Sequence, residues 1–332
     1  MPFWKKDPQE EERERQAKSR QSATLLALAQ GDIPPIAKER IIREKARSNF
    51  FCSDLSTREY LLTREAGFKP MGQVMGTSFF RIGFWGSFSA YRSYTGELPE
   101  ITKAITQARA TAVDRMFQEA KLFGASGVIG VHVKMKSHDW ASDMTEFTAY
   151  GTAIKIPGYP EGEPPFTSSL NGQEFWQLYK AGYLPRAIVM GACAYYVNMD
   201  QTTRQQLYAW LGTNQEVSIF TEGYRHAARV CDSRLRDEIL ALHADGAVGV
   251  SINPGMEIIE YERNDVGYVD MLLNYTILGT AVSAHPEREQ NHQSPLLVLN
   301  LASKKYERLG SSADYDGDDW SYAGGNLMDD DE

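Results

Sequence analysis

Cysteine is scarce. The 332 residues hold three, Cys52, Cys193 and Cys231, and no two stand in a C-x-x-C arrangement. An odd, scattered set excludes a disulfide scaffold and a zinc ribbon. Long apolar runs are lacking too: none approaches the roughly 18 residues of a membrane helix, so no membrane span is expected. The first residues, MPFWKKDPQEEERER, carry charge where a secretory signal has its apolar core, which makes a cytoplasmic protein the default expectation. A basic excess is absent as well. The net charge is −9, and residues 310–332 hold eight acids (Asp314, Asp316, Asp318, Asp319, Asp329, Asp330, Asp331 and Glu332) with no Lys, Arg or His. Setting those eight aside leaves the rest at about −1, without the basic bias of a nucleic-acid binder.

What is present is an internal repeat. At a constant offset of 115, FCSDLSTREYLLTREAGFKPMGQVMG (51–76) lies over FTSSLNGQEFWQLYKAGYLPRAIVMG (166–191). Phe51 meets Phe166, Glu59 meets Glu174, Ala66-Gly67 meets Ala181-Gly182, and Val74-Met75-Gly76 meets Val189-Met190-Gly191. At an offset of 119, Ala108 meets Ala227, Glu119 meets Glu238, and GVIGV (127–131) meets GAVGV (246–250). At 128, Gly151-Thr152-Ala153 meets Gly279-Thr280-Ala281. The order is kept, and the offset changes fall where loops are expected.

Each copy predicts the order α-β-α-β-β. A short helix (55–66; 170–181) closes on Ala-Gly, where glycine suits a left-handed cap. A strand follows (71–80; 186–197), then a long helix (98–124; 219–244) whose Ala108, Ala112, Met116 and Ala120 form one stripe. In the next strand Ile129, Val131, Val133 and Met135 are expected on one face, with His132 and Lys134 on the other. The last strand ends in Gly-Thr-Ala and is expected to pair antiparallel with it. Ahead of the copies, residues 8–30 and 36–48 read as helices broken at Asp32-Ile33-Pro34-Pro35; this leader is either a solvated arm or a docking and oligomerisation arm. The expected organisation is a helical arm (1–48), copy one (49–157), a linker (158–165), copy two (166–285), a connector with a candidate edge strand (286–309) and an acidic, disordered tail (310–332). The fold class is α+β: two tandem two-layer domains, each a long helix on a small, mostly antiparallel sheet.

The segments PMGQVMGTSFFRIG, ITQARATAVDRMFQEAKLFGASGVIGVHVKM and TEFTAYGTAIK resemble the YbjQ-like family, also called the heavy-metal-binding domain. Copy one matches over nearly its whole length. Copy two keeps Ala244-Asp245-Gly246-Ala247-Val248-Gly249-Val250 and Leu278-Gly279-Thr280-Ala281-Val282 and diverges elsewhere. The resemblance implies a dodecin-like subunit in a pentameric ring, with short extra strands between subunits. Gly124, Gly127 and Gly130 follow a helix and precede a strand, the reverse of a phosphate-cradling loop.

Metal, the one cofactor the family's name suggests, would be a divalent ion on His132, His138, Asp139 and Asp143; solvated turn residues are the competing reading. No thiol or imidazole is held in both copies. No acid, base and nucleophile set is recognisable: His243 is unmatched in copy one, and a charged surface explains Asp237-Glu238 and Glu260/Glu262 as well as a carboxylate pair does. No enzyme is expected. The aromatic segment 78–94, with Phe79, Phe80, Phe84, Trp85 and Phe88, and Tyr195 and Tyr196 of copy two, fits a hairpin core or a subunit interface, and less well a small-molecule pocket. Tyr315, Trp320 and Tyr322, spaced among tail acids, suit a solubilising tail or one that docks on a protein partner. The expectation is a non-catalytic homo-oligomeric scaffold or binding protein forming a ring or larger shell; the alternative is a heavy-metal or small-molecule binding protein.

Overall fold

A computed structural model of the chain describes residues 8–47, 51–81, 94–137, 144–160, 162–199, 216–263, 266–284, 298–300 and 305–307. The chain forms two compact units, Met1–Gln290 and Asn291–Glu332. In the larger, two helices, α1 (Pro8–Ala29) and α2 (Pro35–Lys45), flank the predicted proline break. The short helices of the repeats are α3 (Thr57–Glu65) and α5 (Gly172–Lys180). Each opens on the same reciprocal capping box: Ser56 with Glu59 in one copy, Asn171 with Glu174 in the other. Such a cap satisfies two orphan donors and contributes about 1 kcal/mol. Each ends before a left-handed glycine, Gly67 (φ 79) or Gly182 (φ 81).

The first repeat continues with β1 (Lys69–Arg81), β2 (Gly96–Glu97), α4 (Pro99–Phe123), β3 (Gly127–Ser137) and β4 (Met144–Lys155). The second follows with β5 (Phe166–Thr167), α5, β6 (Tyr183–Val197), α6 (Ser218–Ala241), β7 (Gly246–Arg263) and β8 (Val266–Ala284). The sheets run β1-β4-β3-β5 and β2-β6-β8-β7. As predicted, β3 pairs antiparallel with β4, and β7 with β8. The stripe Ala108, Ala112, Met116 and Ala120 is fully buried on the first sheet. A Cβ at Gly76 would collide with the Ala112 carbonyl oxygen, and one at its equivalent Gly191 with that of Cys231. Helix and strand thus approach more closely than any side chain allows.

One expectation is corrected. Ile129 and Val131 do not share a face, because Gly130 sits at φ 62 and the β3–β4 register shifts between Ile129 and His132. This bulge inverts the alternation: Val128 and Val131 join the α4 core, while Ile129 packs with Phe68, Phe166 and Phe175. Gly249 (φ 61) repeats the device in β7.

The leader splits in behaviour. Leu25 and Leu26 of α1 are exposed, whereas Ile33, in the break before α2, and Ile41 of α2 are buried in the first repeat's core. Arg40 reaches Gln73 O at 3.1 Å and Glu119 at 2.6 Å, and Lys45 Nζ donates to Leu122 O at 2.9 Å. Among the described residues of the smaller unit, β9 (Val298–Asn300) pairs antiparallel with β10 (Lys305–Glu307), so the candidate edge strand pairs locally. Among the described residues, no helix is long and apolar enough to cross a membrane.

Candidate functional site: the seam between the repeats

The two repeats exchange their shortest strands. β5, which opens the second repeat, adds in parallel to β3 of the first, with Gly127 opposite Phe166 and Val128 opposite Thr167. β2 of the first repeat pairs antiparallel with β6 of the second. Four backbone bonds fix β5: Phe166 N to Ser126 O (3.2 Å), Ser168 N to Val128 O (2.9 Å), Gly130 N to Leu170 O (2.8 Å) and Val131 N to Ser168 O (2.9 Å). Gly127 is glycine because the Phe166 ring fills the space a Cβ would take. That ring stacks on Phe175 at 5.4 Å and is 2% exposed.

Beyond the strands, the second sheet lays one face on α6 and the other on the first repeat. Ile188, Met190, Ala192, Ala194 and Tyr196 belong to the same apolar cluster as the α4 stripe. Leu98 N donates to Ala194 O at 2.8 Å, and Ala194 N to Thr102 Oγ1 at 2.9 Å. Arg109 of α4 bonds Glu238 of α6 at 3.0 Å, while the other Glu238 oxygen accepts Met190 N–H at 2.7 Å. Burial pushes the Arg109 guanidinium down from its ordinary pKa, and the Glu238 charge acts against that.

Beside this ion pair the seam encloses a cavity of 120 Å³ lined by Ile105, Arg109, Phe147, Met190, Asn274 and neighbours. Arg109 Nε and Asn274 Oδ1, a donor and an acceptor, are buried without a partner.

The sequence-predicted residues scatter. His132 stands exposed on β3 with Nε2 3.6 Å from Asp54 Oδ2, and His138, Asp139 and Asp143 lie outside the described residues. Among the described residues, no group of three or more His, Cys, Asp or Glu could hold a metal ion. Phe79 is half-exposed, Phe80 packs against the first core, and Phe84, Trp85 and Phe88 lie outside the described residues. Tyr196 faces the seam, whereas Tyr195 faces α6, its ring tilted against His226 at 5.0 Å. Tyr315, Trp320 and Tyr322 lie outside the described residues. The Cys193 and Cys231 thiols are buried against each other; that contact and burial push Cys231 far up, so it stays protonated. Sequence reasoning missed Arg109 and Thr102. It paired Glu119 with Glu238, and that conserved carboxylate inside a core helix was the available signal.

An α4-type helix on a four-stranded sheet, bulged at glycine and ending in Gly-Thr-Ala, defines the class. The family described as "Putative heavy-metal-binding" (YbjQ) matches residues 69–157. Over 227 residues the chain is 36% identical to an encapsulin nanocompartment protein of Mycobacterium tuberculosis, covering 66% of this chain and 82% of that one. It is 38% identical over 87 residues to a UPF0145 protein of Sulfurisphaera tokodaii, covering 26% of this chain and 75% of the relative. A UPF0145 protein of Methanococcus maripaludis is 36% identical over 90 residues, 26% of this chain and 79% of its own. The chain belongs to the YbjQ-like family.

Proposed function

We propose that this protein is a non-catalytic oligomeric scaffold or binding protein whose repeats, residues 49–157 and 166–285, build a ring or larger shell. The carrying observation is that positions buried at the internal seam have far more exposed equivalents in the other repeat. Met190 is 7% exposed, while its equivalent Met75 is 50% exposed. Val131 is 2% exposed, while its equivalent Val250 is 48% exposed and heads a line of open apolar residues, Ile252, Met256 and Ile258, along β7. A contact surface used once within the chain and presented again at both ends is heterologous, and such contacts close into rings or propagate. The nanocompartment named for the M. tuberculosis relative supports a role in an assembly.

A closed ring of whole chains holds an even number of repeats, so a five-membered ring would be five chains. Light scattering with mass measurement tests the reading; a monomer at micromolar concentration overturns it. The acidic tail is read as a docking segment for a protein partner, and removing residues 310–332 should abolish co-purification of that partner without changing the mass of the assembly.

A second reading rests on Arg109 and Asn274, which line the seam cavity and whose Nε and Oδ1 have no hydrogen-bond partner. A small molecule offering one acceptor and one donor would bind there. Mass spectrometry of the protein released from native conditions, with elemental analysis for metal, tests both forms of the binding alternative.

A further inference from the structure

The seat that Phe166 fills at the seam has an empty twin. Gly246 of β7 is the repeat equivalent of Gly127, yet a Cβ built there meets nothing within 4 Å, where one on Gly127 meets the Phe166 ring. β7 is also the edge of its sheet, the position β3 would hold without β5. The segment that should fill this seat is equally displaced. Phe51-Cys52 is the equivalent of Phe166-Thr167, but it forms no strand, and Phe51 is 39% exposed, stacked on Tyr60 at 4.9 Å. Two residues on, the anchoring is already in place: Asp54 N donates to Thr152 Oγ1 at 3.0 Å, as Ser169 N does to Thr280 Oγ1 at 2.8 Å. The seat and its plug thus lie in different repeats, one at each end of the tandem pair.

We propose that Phe51-Cys52 of a second copy adds to β7 as a parallel strand, with the Phe51 ring over Gly246 and Cys52 beside Ala247. The proposal deepens the scaffold reading and rests on it, because it names the contact by which chains join head to tail. The register follows from the internal seam: Phe51 N donates to Asp245 O of the neighbouring copy, Ser53 N to Ala247 O, and Val250 N of that copy to Ser53 O. Open sheet edges are pairing sites by their unmet backbone groups, and the glycine seat sets which segment pairs and in which register.

The test uses the full chain. Gly246→Leu fills space that is open in the single chain, at a residue without a positive φ, so it leaves the fold of the single chain intact but blocks the seat. Phe51→Ala removes the plug. Both are expected to weaken self-association at least tenfold in sedimentation, with circular dichroism unaltered. Ala247→Cys places a thiol beside the exposed native Cys52 of the next chain, at a strand-pair distance a disulfide spans. Mild oxidation should then give a covalent ladder on a denaturing gel that Phe51→Ala abolishes. Wild-type assembly that persists in both variants without a ladder overturns the proposed contact and leaves the scaffold reading standing. Wild-type protein that stays monomeric overturns both.

Discussion

Glu119 and Glu238 hold the same post in the two repeats: each accepts a methionine N–H from the strand below, Met75 at 2.8 Å and Met190 at 2.7 Å. They differ in the cation that meets them. Glu238 takes Arg109 across the seam, and Glu119 takes Arg40 from the leader. Arg109's side chain is 8% exposed and Arg40's is 38% exposed. Since the stranded backbone N–H is common to both, the cations decide the difference. Glu238→Ala leaves a buried cation unpaired and should cost about 3 kcal/mol; Glu119→Ala leaves the more exposed Arg40 its bonds to Gln73 O and Glu44 and should cost about half that. Urea unfolding of the two variants checks the order, and equal costs would refute it.

The Glu119 carboxyl also predicts a pH dependence. Burial raises its pKa above the ordinary 4.5, outweighing the opposing pull of the Met75 N–H and Arg40. A pKa raised on folding means that the contribution is full below the unfolded value and is lost as pH rises through the folded one. Glu119→Gln keeps an oxygen for the Met75 N–H but does not titrate. Its stability relative to wild type should therefore climb as pH rises from about 4 and level off above the folded pKa. Unfolding midpoints of the pair measured across that window would show a constant difference if Glu119 titrated normally.

Gly76 and Gly191 carry the closest helix–strand approach in each repeat, against the carbonyl oxygens of Ala112 and Cys231. A backbone oxygen cannot rotate aside as a side chain can. Ala at either site should cost about 2–4 kcal/mol through displacement of the long helix. Gly67→Ala, in open space but at φ 79, should cost only the backbone strain of about 1 kcal/mol. Thermal melts of the three variants test the ranking.

The elements were legible because their determinants are local: the capping boxes at Ser56 and Asn171, the Ala-Gly stops and the Ala108–Ala120 stripe each act within a few residues. The facing of β3 was not legible. A strict two-residue period assumes an unbroken strand, and Gly130 at φ 62 resets it. The seam was hidden for another reason. Its parts, Phe166 on Gly127 and Arg109 on Glu238, are 39 and 129 residues apart, and nothing in either neighbourhood names the other. The repeat itself held the clue, since Phe51 and Gly246 conserve both halves of a contact that the single chain makes only once.

Asp270 is fully buried on β8 and serves the second sheet beside the seam. It accepts the Tyr196 hydroxyl, Met199 N–H at 2.8 Å and the Asn198 side-chain amide at 3.3 Å. Three donors on one carboxylate keep a buried charge tolerable, and removing one should hurt less than removing the acceptor. Tyr196→Phe keeps the ring packed among Ile188-side residues of the seam and deletes one donor, for about 1–2 kcal/mol. Asp270→Ala strands the hydroxyl, the amide and the backbone N–H together and should cost about 3–5 kcal/mol. The double variant should lose less than the sum of the two single losses, because both remove the same hydroxyl–carboxylate bond. A double-mutant cycle by urea unfolding measures this directly, and additive losses would show that Tyr196 acts through packing and not through Asp270.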